Sequence, residues 1–117
     1  MSITSVVLTI LLAAGFVRTG LPKALLTPTA VGLAEHHGHS TATFRILGLL
    51  ELAGSAGLVI GLWWPPLGIA AGLGLAIVCI GGFTSHRRAN DPAKALIPAV
   101  LFGAIALMIL ALHLAEL

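Results

Sequence analysis

The sequence predicts an all-α membrane protein, a four-transmembrane-helix bundle with a short interfacial helix between helices 1 and 2. Composition is the first reason: 58% of the 117 residues are hydrophobic and 9% are charged, a balance outside the soluble and disordered classes. The second is spacing. The apolar residues gather into four stretches, at 3–21, 44–62, 67–84 and 95–114, and a spanning helix needs about 20 such residues. The third is what lies between them, because short polar or proline-bearing segments leave no room for a second domain. The whole chain, residues 1–117, reads as one transmembrane domain.

Taken in order, the run from Ile3 to Val17 has no Lys or Arg before it. That is a poor signal-peptide n-region, so the run reads as the first spanning helix. The connection from Pro22 to Thr43 is the longest. Within it Thr27, Pro28 and Gly38 suit an N-cap, a first-turn proline and a C-terminal glycine around a short helix. With Val31 and Leu33 apolar and Glu35, His36 and His37 polar, that helix is expected to lie along the membrane surface. Trp63, Trp64, Pro65 and Pro66 suit a tight turn at the interface between the second and third spans. Residues 86–92 separate the third from the fourth. Gly57 with Gly61, and Gly68 with Gly72, form two GxxxG pairs that let helix backbones approach, within the chain or across a homo-oligomer contact.

Four spans put both termini on one side, and all six basic residues, Arg18, Lys23, Arg45, Arg87, Arg88 and Lys94, fall at or near the other. The positive-inside rule makes that side cytoplasmic and the termini external. The net charge of +2 carries no basic patch with interleaved aromatics, so nucleic acid is not an expected partner. The lipid bilayer is. Cys79 is the only cysteine and sits among Ala76, Ile77, Val78 and Ile80, which excludes a disulfide or dithiol within the chain and suits a small packed side chain.

Glu51 is the most informative residue. Seven residues past Phe44, it lies about 10 Å along its helix, where an ionisable group needs a partner, a proton or a wet cavity. Gly48, Gly54, Ser55 and Leu58 share its face, so the carboxyl points toward small residues inside the bundle. Arg18 can snorkel or turn inward to pair with Glu51, with Lys23 or His86 as the alternative partner. His86 ends the third span, and Arg45 and Lys23 stand at the same end. The expected catalytic set is therefore Glu51, Arg18 and His86, and the expected ligand-binding set is Lys23, Gly48, Ser55 and Arg45. A structural ion pair, with Arg87, Arg88 and Lys94 as head-group anchors, is the simpler alternative. His36, His37 and His39 offer imidazoles that suit zinc, iron, copper or nickel. Adjacent histidines point apart on a helix, so the run reads as a solvated loop and no metal site is assigned. His113 and Glu116 read as interfacial residues of the opposite face. No Walker loop, GxGxxG, nucleophile elbow or haem-ligand pair is present, so no intrinsic cofactor is expected, and electron transfer would use a borrowed quinone.

The stretch Gly48-Leu49-Leu50-Glu51-Leu52-Ala53-Gly54, then Leu58 to Gly61, the proline turn, Gly68 to Gly72, and Ser85-His86-Arg87-Arg88, resembles the DoxX-like family of small four-helix membrane proteins. The resemblance extends back to Gly20-Leu21-Pro22-Lys23. It implies that Glu51, Lys23 and His86 occupy recurring polar positions, with Arg18 additional. It further implies a bacterial inner (plasma) membrane and kinship with a thiosulfate:quinone oxidoreductase subunit, with redox-stress complexes and with proteins that assist other membrane proteins. The expected function is binding of a small lipophilic ligand, quinone- or isoprenoid-like, by an acid–base enzyme or by the membrane subunit of an oxidoreductase. The alternatives are a non-enzymatic accessory or assembly subunit docked on a membrane-protein partner and, third, a small transporter.

Overall fold

The computed structural model describes residues 2–117. The order is α1 (Ile3–Leu25), α2 (Pro28–His36), α3 (Thr41–Ile60), α4 (Pro65–Arg88), a 3-10 turn (Ala93–Leu96) and α5 (Ile97–Ala115). With the 3-10 turn counted into the last one, four helices are long and apolar enough to cross a membrane. The protein is an integral membrane protein built as a four-helix bundle, with α2 as the expected short helix between the first two spans. Around the bundle α1 packs on α3, α3 on α4, α4 on α5, and α5 back on α1.

Local chemistry sets the ends. Ser2, Thr27 and Ser40 each accept a backbone N–H from three residues on, which caps α1, α2 and α3. Pro65 and Pro66 do not lie in the turn before α4: they form its first turn, where a missing N–H costs nothing. The first span runs one turn further than the apolar stretch, because Pro22 is absorbed inside α1 and the helix ends at a left-handed Leu26. That extra turn makes Lys23 part of the helix. Helix α2 buries Ala30 and Ala34 against Phe44 and Leu47.

The apolar core joins Leu12, Phe16, Leu58, Leu75, Ala76, Cys79, Ala106 and Ile109 from all four long helices. The outside is equally apolar, with Ile10, Leu11, Ile46, Leu50, Ile77, Ile80, Leu101 and Met108 each at least half exposed, as a lipid-facing surface requires. Both expected glycine pairs pack within the chain. Gly61 meets the backbone of Gly68, Gly57 faces Ala71, and Gly72 faces Ala106 and Leu110. His113 is buried at the opposite end of the bundle: its ring lies against Gly68, with Nδ1 3.9 Å from Glu116. Glu116 is exposed, and so are Trp63 and Trp64.

Candidate functional site

The end of the bundle that gathers the basic residues holds a partly open cavity of about 620 Å³. Its walls come from every α-helix, with Phe16 of α1, Leu33 of α2, Phe44 and Leu47 of α3, Val78 of α4 and Phe102 of α5 among the apolar residues. Phe16 and Phe102 pack at 5.4 Å between ring centroids. Ten polar residues share the lining: Thr19, Lys23 and Glu51 on one part of the wall, and His37, His39, Thr43, Thr84, Ser85, His86 and Arg88 elsewhere.

Glu51 is 3% exposed and its carboxylate is fully engaged. Oε1 accepts from Thr19 Oγ1 at 3.1 Å and from Lys23 Nζ at 3.2 Å, and Oε2 accepts from Lys23 Nζ at 3.0 Å. The ammonium thus straddles both carboxylate oxygens, and it sits 5.4 Å from the centre of the Phe44 ring. Phe16, Thr19 and Lys23 recur at three and four residues along α1, so one helix face delivers the phenyl wall, the hydroxyl and the ammonium together. Gly48, Glu51, Ser55 and Leu58 are all buried on one face of α3, as the spacing requires.

The expected pair of Arg18 with Glu51 is replaced by Lys23 with Glu51. Arg18 is exposed. It lies one residue, about 100°, around the helix from Thr19, so its face turns away from α3. Arg45 is exposed too, and neither arginine lines the cavity. Gly48 is pressed on α1, and Ser55 donates to the carbonyl of Glu51 at 2.9 Å instead of facing the cavity. Of the residues expected from the sequence, Glu51, Lys23 and His86 are brought to the cavity.

A second polar cluster stands beside the first. Asp91 Oδ1 is 2.6 Å from His36 Nε2, and Asp91 Oδ2 is 2.6 Å from His86 Nδ1 and 3.2 Å from His37 Nε2. His39 Nε2 reaches Ser85 Oγ at 2.9 Å. Bonds from His36 and His86 hold the Asp91 carboxyl well below the usual carboxylate range. Burial pushes His37 below the usual imidazole range, against the opposing pull of Asp91. Sequence reasoning missed Asp91 and Thr19. Thr19 carried a signal, four residues before Lys23 on one helix face; Asp91 is five residues from His86 but meets His36 and His37 across 55 and 54 residues of chain, which local spacing does not reveal.

Among curated proteins and among solved structures, none matches the chain. The model of the DoxX-like family matches residues 7–110, which takes in the second and third spans whole, most of the first and fourth, and every residue of both polar clusters. The chain is a member of the DoxX-like family.

Proposed function

We propose that the cavity binds a small lipophilic molecule, quinone- or isoprenoid-like, and that the Lys23–Glu51–Thr19 group recognises its polar end. The observation that carries this reading is a carboxylate–ammonium pair, its carboxylate buried, set in the wall of a largely apolar, ligand-sized cavity of a membrane bundle. Lys23 has three N–H donors, of which two reach Glu51. The third is available to a carbonyl or hydroxyl oxygen of the ligand. Proton exchange then runs along this pair, with Glu51 as acceptor, whether in an acid–base reaction or beside electrons supplied by an oxidoreductase partner. The inward use of both glycine pairs favours this reading over a subunit whose glycine faces dock a partner.

Decylubiquinone and farnesol, titrated separately into the protein in detergent, test the two ligand chemistries. At least one is expected to bind saturably, and Glu51→Gln to weaken it about tenfold or more while leaving the fold intact, since the amide keeps the shape and loses the charge pair. Gly82 lines the cavity, and a Cβ built there meets nothing within 4 Å. Gly82→Leu is therefore expected to intrude on the cavity and weaken binding at least tenfold without unfolding the bundle. Non-saturable uptake of both probes, or full affinity in Gly82→Leu, rejects the reading.

Orientation has its own test. We infer that the cavity end faces the cytoplasm of a bacterial cell, from the gathering of basic residues there. With Cys79 replaced, cysteines at Ala93 and Leu117, both exposed, are expected to label from opposite sides, Ala93→Cys only after the membrane is breached. Labelling of Ala93→Cys in intact cells reverses the assignment.

A further inference from the structure

Two helix ends converge on Asp91. Helix α2 closes with a left-handed Gly38, and His39 N–H returns to the carbonyl of Ala34 at 2.9 Å. Helix α4 closes the same way, with Asn90 left-handed and Asp91 N–H returned to the carbonyl of His86 at 3.0 Å. His36, the last helical residue, and His37, the right-handed cap, keep helical backbone, yet their rings stand 5.4 Å apart and both reach Asp91, so the premise that adjacent histidines must point apart fails here. The second turn folds Asp91 back over His86.

We propose that His36 Nε2, His37 Nε2 and the Asp91 carboxylate form a site for a divalent first-row transition metal ion of the zinc class, with His86 as the positioning residue that orients the carboxylate. These three donor atoms lie within 4.8 Å of one another. Two imidazoles and one carboxylate are a donor set that such ions take, leaving a position open. With bonds of about 2.0–2.2 Å, neighbouring donors of a tetrahedral ion stand roughly 3.3 Å apart. The His37 to Asp91 separation of 3.2 Å already meets that. The His36 to Asp91 separation of 2.6 Å must open by about 0.7 Å, which the half-exposed His36 side chain can accommodate. Two further features favour a cation. The negative ends of the α2 and α4 helix dipoles meet at this point. His36, His37 and Asp91 also lie outside the four candidate spans, with His36 open to solvent as an access route. His86 Nδ1 on Asp91 Oδ2 is the supporting hydrogen bond that metal-binding carboxylates commonly receive. The site does not depend on the ligand reading of the cavity.

The test uses chain purified without a histidine tag, stripped with chelator, then equilibrated with Zn²⁺ or with Co²⁺ as an optical probe. One Zn²⁺ per chain is expected after desalting, with affinity measured by competition against a chromophoric chelator. His36→Ala and Asp91→Asn are each expected to weaken binding at least tenfold, and His86→Gln by about 10–100-fold. Glu35→Gln, an exposed carboxylate beside the cluster, is expected to leave affinity within about twofold, which separates ligation from attraction to nearby charge. If Asp91→Asn does not fold, His36→Ala decides alone, since that side chain is half exposed. Failure to retain stoichiometric Zn²⁺, or retention of full affinity in His36→Ala, overturns the proposal and leaves a histidine–aspartate hydrogen-bond network joining two helix ends.

Discussion

Leucine in place of either Glu51 or Lys23 is expected to lower the stability of the bundle by about 3–5 kcal/mol, and leucine at both positions to recover a substantial part of that loss. Each single change leaves one charge inside the bundle with its partner gone. Glu51 alone would retain only the Thr19 hydroxyl, and Lys23 alone would retain the Phe44 ring at 5.4 Å. Lys23 has the milder alternative, because its side chain is 20% exposed while that of Glu51 is 4% exposed. Its stem can snorkel toward the end of the bundle, so the Glu51-retaining variant is expected to suffer more than the Lys23-retaining one. The double variant removes both desolvation costs and adds apolar contact. Thermal unfolding in detergent of the four proteins of this cycle measures the coupling. Strictly additive losses would mean that the pair contributes nothing as a pair. Arg18→Leu serves as a reference: its side chain is exposed, so a change within about 0.5 kcal/mol is expected.

The contrast between Arg18 and Lys23 marks how far the sequence could be read. Four spans were legible because apolar stretches of membrane length are a strong signal, and the buried face of α3 was legible because Gly48, Glu51, Ser55 and Leu58 follow helical spacing. The partner of Glu51 was legible only as the alternative to Arg18, and the reason is local. With Pro22 taken as the end of the first helix, Lys23 falls in a loop and Arg18 is the last basic residue on the helix. Once α1 continues through Pro22 to Leu25, Lys23 shares a face with Thr19 and Phe16, and Arg18 is turned away. One helical turn therefore decides which cation meets the carboxylate.

The histidine cluster was illegible for a different reason. Its geometry depends on two left-handed residues, Gly38 and Asn90, and only Gly38 carried a sequence signal as a helix terminator. The pairing of the α2 end with the α4 end is tertiary. It follows from α2 lying against Phe44 and Leu47, through Ala30 and Ala34, beside the end of the bundle where α4 terminates. No spacing rule within residues 35–39 contains Asp91. The same holds for His113, whose apparent place at a helix end concealed that Gly68 leaves its ring a buried slot.

Alanine at Gly48 is the second change expected to have a large effect, with a loss of about 1–3 kcal/mol and a parallel loss of cavity binding. A Cβ built on Gly48 would lie 2.5 Å from the backbone nitrogen of Ala24, 2.6 Å from the carbonyl oxygen of Gly20 and 2.7 Å from Cβ of Lys23. Two of these three atoms are main chain, so no rotamer change relieves the contact and α1 must move off α3. Against this stands the intrinsic gain of alanine over glycine within a helix, about 0.5–1 kcal/mol. The clash outweighs that gain because it acts at the closest approach of the two helices. It also acts on the site, since the displaced segment of α1 carries Lys23 and the opposite segment of α3 carries Glu51 three residues on. Gly74→Ala isolates the intrinsic gain: Gly74 is exposed within α4, and a Cβ there meets nothing within 4 Å. It is expected to raise stability slightly and leave binding unchanged. Thermal unfolding and decylubiquinone or farnesol titration of both variants read the two effects together. If Gly48→Ala is as stable as Gly74→Ala and binds as wild type, the α1–α3 approach is looser than the structure has it, and the Lys23–Glu51 pair is not held in place by backbone contact.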